Sequence, residues 1–229
     1  MNKRGLLSRL ISYAPREGRV PKEDFFTEAF AHVMQVTPAL ARHVLARMVE
    51  VEPSNEWHVS IETQCSYPIP ETGAPCRPDI VVEISNEAGL DRVILIESKI
   101  DAVAAGGQLG NYRAVLDGLS HRGAKHLVYL TRAPERIESG DDLGVKRWYW
   151  GQVRAWIVAW RREHAGQSGV LVDELLTLME DLQMSLEISE RELVSAVGYF
   201  GARKKLMQII GASWQDCLEL SKRASGGSI

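Results

Sequence analysis

Along this chain the spacing of apolar residues changes from helical to strand-like and back. Between Glu23 and Gln35 the apolar residues Phe26, Phe30 and Val33 recur at helical intervals, with Glu23 and Asp24 placed to favour the positive end of the helix dipole. Thr37-Pro38 interrupts that helix, and a second is expected from Ala39 to Val49. Trp57 to Tyr67 then alternates in the manner of a strand, and Pro68-Ile69-Pro70 with Thr72-Gly73 reads as a loop. Ile80 to Ile84 and Val93 to Ile96 are short β-branched runs, Gln108 to Leu119 has a helical pattern, and Lys125 to Thr131 reads as a further buried strand. From Trp150 onward the pattern is helical, over Val153 to Glu163, Val170 to Met184 and Glu190 to about Leu220. The expectation is a mixed α/β domain with a helical C-terminal extension and a small, polar, frayed tail over residues 221–229.

Composition narrows the class. The 229 residues are 45% hydrophobic and 25% charged, which suits one sizeable domain with trimmings or two small ones and excludes collagen-like, disordered and disulfide-scaffold chains. No apolar run is long enough to span a bilayer, so no membrane partner is expected. The N-terminus lacks the apolar stretch of a secretory signal, and the odd set Cys65, Cys76 and Cys217 fits reduced thiols, so a cytoplasmic location is expected. The net charge of −3 does not announce a nucleic-acid binder, but local clustering sets the field at a site. Residues 1–22 are locally basic, with six Lys or Arg against Glu17, which suits either phosphate contact or a solvated segment. No Gly-x-Ser-x-Gly elbow or P-loop is present, and His58, Cys65 and Cys76 have no standard zinc spacing.

The region richest in chemistry is Pro78-Asp79-Ile80-Val81-Val82-Glu83-Ile84 followed by Val93-Ile94-Leu95-Ile96-Glu97-Ser98-Lys99. Alternation puts Glu97 and Lys99 on one face of a strand and Ser98 on the other. If residues 85–91 form a hairpin loop and Ile84 pairs with Arg92, Asp79 falls opposite Glu97, with Cβ atoms roughly 4.5–5.5 Å apart. The opposite face then stacks Ile80 on Ile96 and Val82 on Ile94. Two carboxylates so close call for a positive charge between them, and a hard divalent cation such as Mg²⁺ supplies it, with Lys99 orienting or helping to deprotonate a metal-bound water. The plainer alternative is an Asp79–Lys99 ion pair at a sheet end. Gln108 and Tyr112, four apart, share a helix face and suit hydrogen bonds to a phosphate or a catalytic group; a helix cap with a core tyrosine fits equally. Glu28 aligns with Asp24 and His32 in a polar stripe, the pattern of a solvated helix face. His121, Arg122, Lys125 and His126 suit a solvated loop, and Trp148, Trp150, Trp156 and Trp160 suit core packing better than base stacking.

Pro78-Asp79 with Glu97-Ser98-Lys99 resembles the PD-(D/E)XK nuclease superfamily, and Gln108-x-x-x-Tyr112 is similar to the motif of its RecB- and lambda-exonuclease-like branches. Glu28 matches the acid that the first helix carries in many members. The resemblance covers roughly residues 23–150 and implies a restriction-endonuclease-like αβββαβ core with a mixed central sheet flanked by helices. The expected division is then a basic N-terminal segment over 1–22, a nuclease-like core over 23–150, a helical extension packed on it over 151–220, and a flexible tail over 221–229. The resemblance further implies a Mg²⁺-dependent deoxyribonuclease, with Mn²⁺ as a substitute, in which Asp79, Glu97, the Ser98 carbonyl and Glu28 hold metal. Lys99 would then position the attacking water, while Gln108 and Tyr112 would hold substrate or the catalytic groups. The expected partner is nucleic acid, DNA rather than RNA, and dimers are common in the fold. A nuclease-like binding or assembly module without turnover is the alternative.

Overall fold

A computed structural model of the chain describes residues 22–100, 107–120, 123–132, 143–166, 169–184, 195, 198–203 and 205. Two compact units divide between Leu186 and Glu187. In the second unit Ser195, residues 198–203 and Lys205 are helical, and the rings of Tyr199 and Phe200 meet edge to face at 5.7 Å.

The first unit opens with helices α1 (Lys22–Val36) and α2 (Pro38–Val49). Pro38 is tolerated in the first turn of α2, where its missing N–H has no intrahelical partner to lose. Strands β1 (His58–Thr63), β4 (Ile80–Asn86), β5 (Gly89–Lys99), β6 (Ala124–Thr131) and β7 (Val145–Tyr149) form one sheet in the order β1-β4-β5-β6-β7. The β1–β4 and β4–β5 pairs are antiparallel, and the β5–β6 and β6–β7 pairs are parallel. Helix α3 (Gln108–Gly118) makes the crossover from β5 to β6, and α4 (Trp150–Glu163) and α5 (Val170–Asp181) follow β7. The chain is thus mixed α/β, with a five-stranded mixed sheet flanked by helices.

Burial on both faces explains why the central strands read as continuous apolar runs. Ile80, Val82, Ile84, Ile94, Ile96, Val128 and Leu130 join α1, α2, α4 and α5 in the larger core. On the other face Val81, Val93, Leu95, Leu127 and Tyr129 pack under α3, against Leu109, Tyr112, Val115 and Leu116. Trp150 anchors α4 in the larger core, edge to face with Phe26 at 4.7 Å and Phe30 at 5.0 Å.

Several elements differ from the pattern-based expectation. The β4–β5 loop is tighter: the strands run on to Asn86 and Gly89, and an irregularity between Ile84 and Ser85 absorbs one extra residue, Asp91. Asn86 closes the turn by accepting the Ala88 N–H at 2.9 Å, and Gly89 supplies φ 112°. The register is the expected one, with Ile80 on Ile96, Val82 on Ile94 and Ile84 on Arg92. The loop after β1 holds a small hairpin of β2 (Tyr67–Pro68) and β3 (Pro75–Cys76). Strand β7 lacks an apolar run because it is an edge strand, half-exposed and carrying Lys146 and Arg147. Helix α4 starts at Trp150, and both α4 and α5 pack into the core shared with α1 and α2. Among the described residues no helix is long and apolar enough to cross a membrane. The basic segment up to Pro21, residues 101–106 before α3, His121, Arg122, Cys217 and the tail lie outside the described residues.

Candidate active site

The β4–β5 ladder closes at Ile80 and Ile96. One step further, Asp79 comes level with Glu97; two steps further, Pro78 comes level with Ser98 and has no N–H to offer its carbonyl. The ladder therefore gives way to a side chain: the Ser98 N–H donates to Asp79 Oδ2 at 2.8 Å. The N–H and C=O of one strand residue point the same way, so the Ser98 carbonyl is directed to the side of Asp79. The Asp79 carbonyl in turn accepts the Gln64 N–H at 3.0 Å, which ties the site to the end of β1.

Glu97 is completely buried. Its Oε1 accepts from Gln108 Nε2 at 2.6 Å and pairs with Lys99 Nζ at 2.7 Å. Its Oε2 is enclosed and finds no hydrogen-bond partner. Gln108 stands at the start of α3, just after Gly107, whose left-handed φ of 82° turns the chain into the helix. One turn on, Tyr112 receives a second bond from Gln108 Nε2 at 2.8 Å and donates its hydroxyl proton to the Arg77 carbonyl at 3.0 Å. The Gln-x-x-x-Tyr pair thus clasps Glu97 on one side and the backbone leading to Asp79 on the other.

Helix α1 reaches Lys99 through Glu23, an acid that the sequence did not single out for the site. Glu23 Oε1 accepts from Lys99 Nζ at 2.8 Å, and Glu23 Oε2 accepts the Ile100 N–H at 3.1 Å. Thr27, one turn later, donates to Ser98 Oγ at 3.3 Å. Glu28 is buried on α1 and takes the Thr63 hydroxyl of β1. Glu23 and Thr27 form a polar pair on α1 adjacent to the stripe of Asp24, Glu28 and His32. The available signal was Thr27, a hydroxyl one turn from Glu23 on a helix that otherwise buries large apolar residues.

Electrostatics follow from burial. Asp79 is pushed up to about 7, first by burial and then by the charge of Glu97, against the opposing pull of the Ser98 N–H and Lys99. Burial also raises Glu97, with Lys99 opposing. For Lys99 burial favours the neutral amine, but the charge of Glu97 and the bonds to Glu23 and Glu97 together outweigh it and hold the proton more firmly than usual. Burial, then Glu97, likewise raises the Tyr112 phenol.

This donor set fits a hard cation. Buried Glu97 and half-buried Asp79 resist joint ionisation, one Glu97 oxygen lacks a partner, and all the donors are oxygens. Among the described residues no group of three or more His, Cys, Asp or Glu side chains could hold a metal ion. A site built from one or two carboxylates suits Mg²⁺, which retains waters and is completed by substrate phosphate oxygens.

The remaining candidates lie elsewhere. His126 is level with Ile94 on β6 and falls to about 4 through burial and the charge of Arg92. Lys125 Nζ donates to the Leu119 carbonyl at 2.6 Å, just past the end of α3. Trp150 and Trp160 are core residues, and Trp148, bonded to the Met48 carbonyl at 3.0 Å, packs on Trp156. Cys65 donates to Glu62 at 3.2 Å and Cys76 is a free thiol, while His58 is exposed at the far end of β1. No protein-family model, curated protein or solved structure matches the chain.

Proposed function

We propose that this protein is a metal-dependent nuclease, a deoxyribonuclease hydrolysing phosphodiester bonds on a restriction-endonuclease-like core. The observation that carries this reading is the carboxylate pair of Asp79, just before β4, and Glu97, near the end of β5, one Glu97 oxygen unpartnered, with Lys99 between Glu97 and Glu23. The element order of helix, β1, β4, β5, α3 and β6 supports the αβββαβ core.

Asp79, Glu97 and the Ser98 carbonyl would hold Mg²⁺ or Mn²⁺. When bound, the metal supplies Lewis-acid stabilisation of the charge developing on the phosphate and a more acidic water. Lys99 keeps its proton, so it acts as a fixed positive charge that orients the attacking water and the scissile phosphate. Gln108 holds Glu97 in place and Tyr112 locks Gln108 to the Arg77 backbone, so the geometry exists before substrate arrives. Glu28 is placed to brace α1 against β1.

Cleavage of linear, circular and single-stranded DNA, with Mg²⁺, Mn²⁺ or EDTA, tests the reading. Activity is expected with either metal, absent in EDTA, and reduced by on the order of 10²–10³-fold or more in Asp79→Asn and Lys99→Ala. Activity that survives Asp79→Asn undiminished would sink the mechanism, and binding without cleavage under any metal would leave a nuclease-like binding module.

A further inference from the structure

A cleft that shares no residue with the Asp79–Glu97 site opens between the first half of α2, the loop leading into β1 and the end of α4. Its volume of about 300 Å³ is at the lower end of the range for small-molecule sites. Left-handed Glu50, at φ 59°, ends α2 and turns the chain, and the Trp57 N–H closes a turn on the Ser54 carbonyl at 3.3 Å. Pro53 and Asn55 of that loop form one wall. Another is buried Trp160 with the His164 imidazole stacked flat on it, centroids 4.5 Å apart and planes 10° from parallel. Ala39 brings in the first turn of α2, the positive end of the helix dipole, which Thr37 leaves without a side-chain cap. The negative end of α4 is covered, because the Trp160 carbonyl accepts the His164 backbone N–H at 3.0 Å and Nδ1 at 2.9 Å.

The polar groups of these walls suit an anion. No described residue lining the cleft is acidic. Half-buried Arg42 and exposed Asn55 make no side-chain hydrogen bond or ion pair among the described residues. His43 adds no charge, since burial and then Arg47 disfavour its protonation. A carbonyl only accepts, so His164 Nδ1 carries a proton and Nε2 is the free nitrogen of that ring. From this arrangement we infer that the cleft binds a phosphomonoester group, as inorganic phosphate or at the end of a small organic molecule. The Arg42 fork and the Asn55 amide donate to phosphate oxygens. His164 selects the monoester. With a second pKa of about 6, such a phosphate occurs near neutral pH both with and without its last proton. Its P–OH donates to the Nε2 lone pair, or its oxygen accepts from protonated Nε2, and one hydrogen bond joins them wherever the proton rests. Sulfate and a phosphodiester have no proton to share at neutral pH, and a carboxylate only accepts.

Isothermal titration calorimetry of the full chain in EDTA, which keeps metal from Asp79 and Glu97, compares inorganic phosphate, a nucleoside monophosphate, sulfate and dimethyl phosphate. Both monoester probes are expected to fill a single saturable site, with sulfate and dimethyl phosphate weaker by roughly tenfold or more. Arg42→Gln, which breaks no contact of the fold, is expected to lose roughly ten- to 150-fold in affinity for both phosphates. His164→Phe keeps a ring on Trp160 and the backbone N–H on its carbonyl, and is expected to erase the preference for phosphate over sulfate. Tighter binding of the nucleotide than of inorganic phosphate identifies an organic phosphate as the ligand, and equal binding identifies free phosphate. No binding of either at millimolar concentration, sulfate binding as tightly as phosphate, or phosphate affinity untouched in Arg42→Gln overturns the assignment.

Discussion

Lys99 gathers the charge of the site onto one nitrogen: Glu97 lies at 2.7 Å, Glu23 at 2.8 Å, and Asp79 acts on it through space. One ammonium cannot neutralise three carboxylates, and Asp79, pushed up to about 7, carries the surplus. The folded state therefore holds a proton that the unfolded chain, with an ordinary carboxyl near 3.8, gives up. The stability contributed by that proton is fully present below about 3.8 and is lost as pH rises through about 7. Asp79→Asn removes the charge and keeps an oxygen for the Ser98 N–H. In EDTA at pH 8 it is expected to raise stability by about 1–3 kcal/mol, and at pH 5, where wild-type Asp79 is already protonated, by much less. Melting curves at the two pH values check this; an equal gain at both would contradict the burial of the charge.

Among the elements, the N-terminus of α1 and the end of β5 act as one part. Glu23 bridges the Lys99 ammonium and the Ile100 N–H, so its two oxygens do separate work. Glu23→Gln keeps an acceptor for Ile100 but drops the charge; it is expected to lower the Lys99 pKa while leaving amide exchange at Ile100 slow. Glu23→Ala is expected to lower the one and speed the other, and NMR reads both. At the opposite end of the sheet, β6 begins beside β5 with no room to spare. A Cβ on Gly123 would lie 2.5 Å from the Asp91 carbonyl oxygen, a contact with backbone that no side-chain rotation relieves. Gly123→Ala is expected to cost about 1–3 kcal/mol in chemical denaturation. Elements like the β4–β5 hairpin are legible in sequence because two apolar runs of matching length admit one register that buries both faces. Strand β7 is not, because its edge position leaves Lys146, Arg147 and Tyr149 partly in solvent and dilutes the apolar signal.

For the whole molecule, the turn from antiparallel to parallel pairing at β5 matters most. It brings the C-terminal ends of β5, β6 and β7 to one edge, where open α/β sheets form their crevices. Helices α4 and α5 close the far face: Trp150, Ile157, Trp160, Val172, Leu175 and Met179 fill the core shared with α1 and α2. A chain ending at Leu186 keeps every described member of that core and is expected to unfold in one cooperative transition. A chain ending at Tyr149 exposes the buried faces of Phe26 and Phe30 and is expected not to fold; circular dichroism melts distinguish them.

The sequence alone determined that Asp79 meets Glu97, that Lys99 shares their face, and that Gln108 and Tyr112 act together. Strand alternation and the helical turn are local periodicities, set by the backbone whatever surrounds it. Tertiary structure alone decided which acid of α1 reaches Lys99. A helix shows the same residues at any rotation about its axis, and only the packing of Phe26 and Phe30 on Trp150 turns Glu23 and Thr27, and not Asp24, toward β5. Tertiary structure also decided that one Glu97 oxygen has no partner and that β7 lies in line with the site. Both depend on groups distant in sequence, brought together by the order of strands in the sheet.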